Sequence, residues 1–370
     1  NGFTLAAEKL NMAGGVLCGG KKFPIELVFE DDESHATKTA EVMRAMIVED
    51  KVHLIMAPYS TGLATVASEV SESLGRVMIA PTAAGMNVYK RGYNYLFGMC
   101  TLAAEYMTSG LKALKAAGAK SVAMVHEAKV FNTDVCEAAR ETAKNLGFEV
   151  VMFKKFAAGD LDFQPLMHSI MAMKEQPDVF LGCGHFSDSV LMVMSAKALE
   201  YNPKAMLVTQ VSEAFVNAVG EQNAEGLLGP IQWSPSSSEY VNASDPFFTS
   251  GADFAAQYKK RFGLVPSYQA ANGAAALLAG VRAIEAVNSV DSDAVREGLR
   301  SLDIPSFYAR LRFGEDGVIL GKAMTTVQAQ SSTLEVVAPA HVAKKSVVYP
   351  KKTWTPLATM VNDDATTLSR

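Results

Sequence analysis

The feature that most constrains this chain is an alternation. Short apolar or β-branched runs take turns with longer segments of helical period along nearly its whole length. In the first half, helical spacing over Gly2 to Ala13 ends at Gly14-Gly15, and Ile25 to Phe29 then reads as a strand. A helix over Ala36 to Glu49, a strand over Val52 to Met56, a helix over Leu63 to Leu74 and a strand over Val77 to Ala80 follow. The pattern continues as helix 103–117, strand 121–126, helix 132–146, strand 149–153, helix 163–174 and strand 179–183. Strands that alternate with helices of this length predict parallel sheets with helices on both faces. The reading opens on a helix, where a βαβ chain is expected to open on a strand, so the first strand is expected to be missing from this end.

The second half keeps the pattern and then changes it. Strands are predicted over Ala205 to Val208 and Leu227 to Trp233, a Ser- and Asp-rich loop over Ser234 to Ser250, and helices over 253–262, 269–286 and 293–301. Leu311-Arg312-Phe313, the turn Gly314-Glu315-Asp316-Gly317 and Lys322 to Gln330 read as strand, turn, strand. The tail from Val336 to Arg370 reads as irregular.

Composition removes several function classes. At 49% hydrophobic and 20% charged residues the chain is an ordinary globular one, and its formal charge of −5 argues against a nucleic-acid partner. No run of about 18 uncharged apolar residues is found, so no membrane-spanning helix is predicted. Nor does the N-terminus read as a secretory leader, which would precede this numbering if it was removed. Cys18, Cys100, Cys136 and Cys183 form no C-x-x-C pair, and the six histidines stand singly, so no metal site is expected. There is no G-x-S-x-G elbow, no G-x-x-x-x-G-K-[ST] phosphate loop and no G-x-G-x-x-G fingerprint, so neither an enzyme nor a bound cofactor is expected. The acidic cluster Asp31-Asp32-Glu33 reads as a solvated turn, and the methionines from Met167 to Met173 as core at helical spacing.

In open α/β sheets ligands bind beyond the carboxyl ends of strands, which selects a few loops. Tyr59, Ser60 and Thr61 lie between a strand and a helix start, where they either cap the helix or meet a carboxylate. Pro81, Thr82 and Ala83 follow the next strand and allow close backbone approach, or form an ordinary tight connection. Phe131 is a stacking platform or a core residue. His185 and Phe186 follow the strand ending at Cys183, and Gln210 and Val211 follow the strand ending at Val208. Trp233 either faces a cleft or packs in the core.

These segments together resemble a known family. Gly2-Phe3-Thr4-Leu5-Ala6-Ala7-Glu8-Lys9-Leu10-Asn11-Met12-Ala13-Gly14-Gly15, Glu30-Asp31-Asp32, Ala57 to Gly62, Tyr258 to Gly263 with Pro266, and Phe307-Tyr308-Ala309 with Arg312 to Gly317 run in the order seen in type I periplasmic substrate-binding proteins of the branched-chain amino acid ABC-transporter group. The resemblance implies two doubly wound parallel-sheet lobes, joined by three crossovers, that close on a ligand in the cleft between them. Laid on this chain, lobe one is 1–100 plus 235–315 and lobe two is 101–234 plus 316–370. It also implies an extracytoplasmic location with the leader removed, permease subunits as partners and contact with the membrane only through them. The alternative is the ligand-sensing ectodomain of a larger receptor.

Residue by residue, the resemblance puts the ligand carboxylate on the hydroxyls of Ser60 and Thr61. It puts the ammonium on the loop Thr82 to Ala84, where the hydroxyl position falls on Ala84, and on an acidic position that falls on Val211, two residues from Glu213. Aromatic positions fall on Phe131 and at His185-Phe186. With the ammonium partners weakened, the expected preference is for an aromatic or small organic acid over leucine or valine.

Overall fold

The computed structural model describes residues 1–236, 240–243 and 245–354. Ser244, the last residue of an Asn242-Ala243-Ser244 sequon, and the tail beyond Trp354 lie outside the described residues. The chain divides into two compact units, residues 1–103 with 232–323 and residues 104–231 with 324–370, so it passes between them three times.

The first segment carries α1 (Gly2–Met12), β1 (Val16–Cys18), β2 (Lys21–Phe23), α2 (Ala36–Val48), β3 (Ile55–Met56), α3 (Thr61–Ser73), β4 (Met78–Ala80), α4 (Met86–Tyr89) and β5 (Leu96–Gly98). The second carries α5 (Thr108–Ala116), β6 (Ser121–Glu127), α6 (Val130–Asn145), β7 (Glu149–Phe156), α7 (Gln164–Met171), β8 (Val179–Cys183), α8 (Phe186–Ala198), β9 (Ala205–Val208), α9 (Glu213–Val219), α10 (Glu221–Ala224) and β10 (Leu228–Ile231). Then come α11 (Gly251–Phe262), α12 (Tyr268–Val287), α13 (Ser292–Arg300), β11 (Asp303–Ile304) and β12 (Leu311–Arg312), and finally β13 (Thr325–Gln330) and β14 (Thr333–Ala338).

In the first unit β3, β4 and β5 form a parallel sheet. Its central helix, α12, is capped at its start by the Ser267 hydroxyl, which accepts from the Ala270 N–H at 3.4 Å, and ends at Asn288 in the left-handed conformation. It is long and apolar enough to cross a membrane, yet 78% of that stretch is buried within the fold, which makes it a core helix. An aromatic cluster of Trp233, Phe247, Phe248, Phe254 and Phe307 completes this core.

In the second unit seven strands run in the order β14-β13-β10-β9-β8-β6-β7. The five from β10 to β7 are parallel, and β13 and β14 join antiparallel. The central strand β8 is buried at every residue, as its unbroken apolar run requires. Met167 and Ile170 are fully buried in the core of this unit, in keeping with the core reading of that methionine stretch.

Three local readings are corrected. Ile25 to Phe29 is not a strand: Ile25 exchanges two hydrogen bonds with the Asn11 side chain (2.7 and 2.9 Å), and no neighbouring strand pairs with the segment among the described residues. Its side chains border a cavity of about 830 Å³, lined also by Val52, Leu54, Met56 and Leu277. The apolar period at Ile25 and Leu27 is therefore met by burial rather than by a ladder. The hairpin Leu311 to Gln330 is also not formed as such. β12 pairs with β11, and β13 pairs with β10 and β14. The Gly314–Gly317 turn brings Ile319 back to Phe313 only as a single bridge, and Val318 bridges Gly98, which ties residues through 323 to the first unit rather than the second. The tail is not irregular at its start, because Thr333–Ala338 is the edge strand β14.

Candidate functional site

The carboxyl ends of β3 and β4 carry the candidate loops of the first unit. Tyr59 is half exposed, and Ser60 precedes α3 with φ 89°, a left-handed backbone that disfavours any residue but glycine. Its hydroxyl accepts from the Leu63 N–H at 3.4 Å, so the capping role is present. The Thr61 side chain is buried, and its Oγ1 accepts the Gly85 N–H at 3.1 Å, joining the two loops. A Cβ on Gly85 would lie 2.4 Å from Thr61 Cγ2, so this approach needs a glycine. The Thr61 hydroxyl proton finds no acceptor among the described residues. Pro81, Ala83 and Ala84 are buried and Thr82 is half-buried. The Pro81 carbonyl accepts from Asn272 Nδ2 at 2.6 Å, and the Ala83 carbonyl accepts from the Tyr89 hydroxyl at 2.8 Å. The second loop is therefore held rigidly from below.

On the second unit the ends of β6 and β8 are neighbours in the sheet and bring two loops together. Glu127, the last residue of β6, has only 2% of its side chain exposed. Its Oε2 accepts from Asn132 Nδ2 at 2.6 Å and from His185 Nδ1 at 2.5 Å, and its Oε1 pairs with Lys129 at 2.7 Å. Burial pushes this carboxyl up, but Lys129 and His185 outweigh burial and hold it below the usual carboxylate range. Asp188 is raised by its burial, against the lowering effect of the His185 backbone N–H it accepts at 2.7 Å. The Phe131 ring lies 6.3 Å from that of His185, with the Tyr106 ring edge-on behind it at 5.1 Å. Phe186 is 40% exposed.

The remaining predicted residues fall elsewhere. Gln210 is half-buried at the end of β9. Val211 is buried in the core of the second unit over Gly229, where a Cβ would lie 2.6 Å from its own, so it is a packing residue and not a ligand-facing one. Trp233 does not face a cleft. It is 1% exposed, its ring is edge-on to Phe254 at 5.5 Å, and its indole N–H donates to the Phe307 carbonyl at 3.4 Å.

Sequence reasoning missed Glu127, whereas Asn132 and Asp188 stand in the selected loops of Phe131 and His185 without a role of their own. A lone acid at a strand end carries no signal of its own until the sheet order is known. Glu127, His185 and Asp188 bring potential metal-ligating atoms within 4.8 Å of one another. Each is already paired inside the network, to Lys129, to Glu127 and to the His185 N–H respectively, so the chemistry is that of a charge-matched hydrogen-bond cluster.

Polar loops at the carboxyl ends of parallel strands are where such sheets receive ligands. The family model described as periplasmic binding protein matches residues 1–333, and the chain belongs to that family. Its fold is the type I periplasmic-binding-protein fold, and its relatives are solute-binding proteins, not enzymes. The chain is 26% identical over 234 residues to an "Amino acid binding protein" of Pseudomonas aeruginosa, a match that spans 61% of this chain and 60% of that protein. A branched-chain amino acid transporter substrate-binding protein, LivJ, of Streptococcus pneumoniae, solved with isoleucine, superimposes with a TM-score of 0.77 at 21% identity, covering 91% of this chain and 93% of that one. A solute-binding protein of an ABC transporter from Rhodopseudomonas palustris, solved with 3,4-dihydroxybenzoic acid, gives a TM-score of 0.74 at 18% identity, covering 97% and 94%.

Proposed function

We propose that this protein is the extracytoplasmic solute-binding component of an ABC importer, and that it holds a small carboxylate-bearing solute, an amino acid or a small organic acid, for delivery to permease subunits. The observation that carries the reading is the start of α3. There the strained Ser60, the unspent Thr61 hydroxyl proton and the free N–H groups of a helix N-terminus stand together at the carboxyl end of a parallel strand. Backbone strain persists where surrounding structure enforces it, and binding loops are where it collects. The relatives' names support the same class of solute, with amino acids the first to try.

The test is a thermal-shift screen of aliphatic amino acids, benzoates and short-chain acids, followed by calorimetry. A true ligand at about 100 times its Kd stabilises the folded protein by about 2.7 kcal/mol. Failure of every carboxylate to shift the transition would end the importer reading. Thr61→Ala is expected to weaken carboxylate binding by about 1–3 kcal/mol, because a buried acceptor on the solute and the Gly85 N–H both lose their partner. Affinity equal to that of the unmodified protein would remove Thr61 from the site.

A further inference from the structure

Two of the four cysteine thiols face each other inside the second unit. Cys136 lies on α6 and Cys183 ends β8, and both are fully buried. The direction of Cys183 follows from its strand. A Cβ on Gly182 would meet Met192 and Phe180 on the α8 face, so the next residue points to the opposite face. That is the face α5 and α6 cover. Leu181, on the same side as Cys183, pairs with Leu207, and a Cβ on Gly110 of α5 would meet the Leu207 side chain. Cys136 belongs to the buried stripe of α6, with Val135, Ala139 and Ala143. The alanines of that stripe let the helix ride close on β6 and β8, against which it packs.

Register completes the placement. β6 and β8 are parallel neighbours, with Val125 opposite Gly182 and His126 opposite Cys183. The Cys136 thiol donates to the Val125 carbonyl at 3.6 Å, at the peptide that joins those two β6 residues. Its sulfur therefore sits over β6 at the level of Cys183, on the neighbouring strand about 4.8 Å away. The Cys183 thiol is pushed well above its usual range, by burial first and by the adjoining Cys136 thiol second. The other two cysteines belong to the first unit. Cys18 is half-buried on β1, and the Cys100 thiol donates to the Pro81 carbonyl at 3.2 Å.

We propose that Cys136 and Cys183 form a disulfide when the chain folds in an oxidising compartment, and that the finished fold then keeps whichever state it received. The step is thiol–disulfide exchange with a small-molecule or protein disulfide. One thiolate attacks the reagent's S–S bond and releases a thiol, and the second thiolate displaces the other half. The pair gives up two electrons and two protons, and the reagent leaves as two thiols. Only a thiolate attacks, and both sulfurs are out of reach once α6 is seated on the sheet, so the exchange belongs to the opened chain. Burial protects the product in the same way, because a reductant cannot reach the S–S bond in the native state. The link closes a loop of about 48 residues and ties the helix that carries Phe131 to the strand that leads into His185. The oxidising compartment is the one the solute-binding reading implies, whereas the pairing is a property of the fold alone.

The test produces the chain twice, in the reducing cytoplasm of a bacterial host and, behind a cleavable leader, in its oxidising periplasm. Both proteins are purified without reductant, unfolded in iodoacetamide and weighed. The periplasmic protein is expected to take up two alkyl groups, and four after reduction, with peptide mapping that joins Cys136 to Cys183 and leaves Cys18 and Cys100 free. The cytoplasmic protein is expected to take up four, and still four after hours folded in oxidised glutathione. In Cys136→Ser the three remaining thiols stay free in both compartments. Four free thiols in the periplasmic protein, a link through Cys18 or Cys100, or prompt oxidation of the folded cytoplasmic protein overturns the proposal. The carboxylate screen is a separate readout, so the disulfide and the solute-binding reading each fail on their own result.

Discussion

Trp233→Ala is expected to lower the unfolding free energy by about 3–5 kcal/mol, the cost of emptying a fully buried aromatic site. The ring is edge-on to Phe254, lies 6.4 Å from Phe307, and sits among Phe247 and Phe248 in the first unit's core. A cavity there cannot collapse easily, because the neighbours are themselves rigid aromatic rings. The substitution also frees the Phe307 carbonyl of its indole donor. Trp233→Phe keeps most of the apolar volume and loses only that hydrogen bond and part of the contact, so a smaller loss is expected. Urea unfolding of both variants measures the effect, and calorimetry on the folded fraction should show solute affinity unchanged. A stable Ala variant with weakened binding would instead return Trp233 to the site.

That residue shows what the sequence conveys and what it withholds. A large aromatic at the end of a predicted strand reads the same whether it caps a cleft or plugs a core, because the deciding neighbours, Phe254 and Phe307, come from distant segments. The strands of the second unit were legible for the opposite reason. Val179–Cys183 and Ala205–Val208 are buried on both faces, and double burial leaves a continuous apolar run. Ile25 to Phe29 has the same local look without a pairing neighbour, and periodicity alone cannot report pairing.

The candidate site was half legible. The loop rule found Ser60, Thr61, Phe131 and His185, because each follows a recognisable strand. It missed Glu127 because the link between Glu127 and His185 depends on β6 lying beside β8. Chain order does not give that adjacency, since β7 comes between them in sequence and lies on the other side of β6 in space. The resemblance lays the acidic position for an ammonium on Val211, which has no acid to offer. A buried valine over Gly229 satisfies packing, and the acid of this face stands on another strand.

Lys322 should make the first unit more stable as the solution becomes alkaline. Its ammonium donates to Gln232 Oε1 at 2.7 Å and to Thr101 Oγ1 at 3.3 Å, while its own carbonyl accepts the Thr101 hydroxyl at 2.9 Å. Gln232 clamps Thr101 in turn, its Oε1 accepting the Thr101 N–H at 3.1 Å and its Nε2 donating to the Thr101 carbonyl at 2.8 Å. No carboxylate stands among these partners, so burial lowers the lysine to about 8 from an ordinary 10.5. The unfolded chain therefore holds this proton between about pH 8 and 10.5 while the native state has released it. Stability rises wherever the unfolded state binds more protons, so the unfolding free energy climbs across that window by up to about 3 kcal/mol. Below pH 8 both states are charged and the cost of the buried ammonium is present in full. Lys351, also lowered to about 8 by burial, adds a similar rise from the second unit, so the comparison must be between variants rather than between pH values alone. Lys322→Met keeps the apolar stem and leaves Gln232 Oε1 with the Thr101 N–H. Urea unfolding at pH 7 and pH 10 is expected to show a smaller alkaline gain for the Met variant than for the unmodified protein, with the difference concentrated above pH 8. Parallel gains in the two proteins would show that the Lys322 ammonium is solvated, and that its two oxygen contacts carry no penalty of burial.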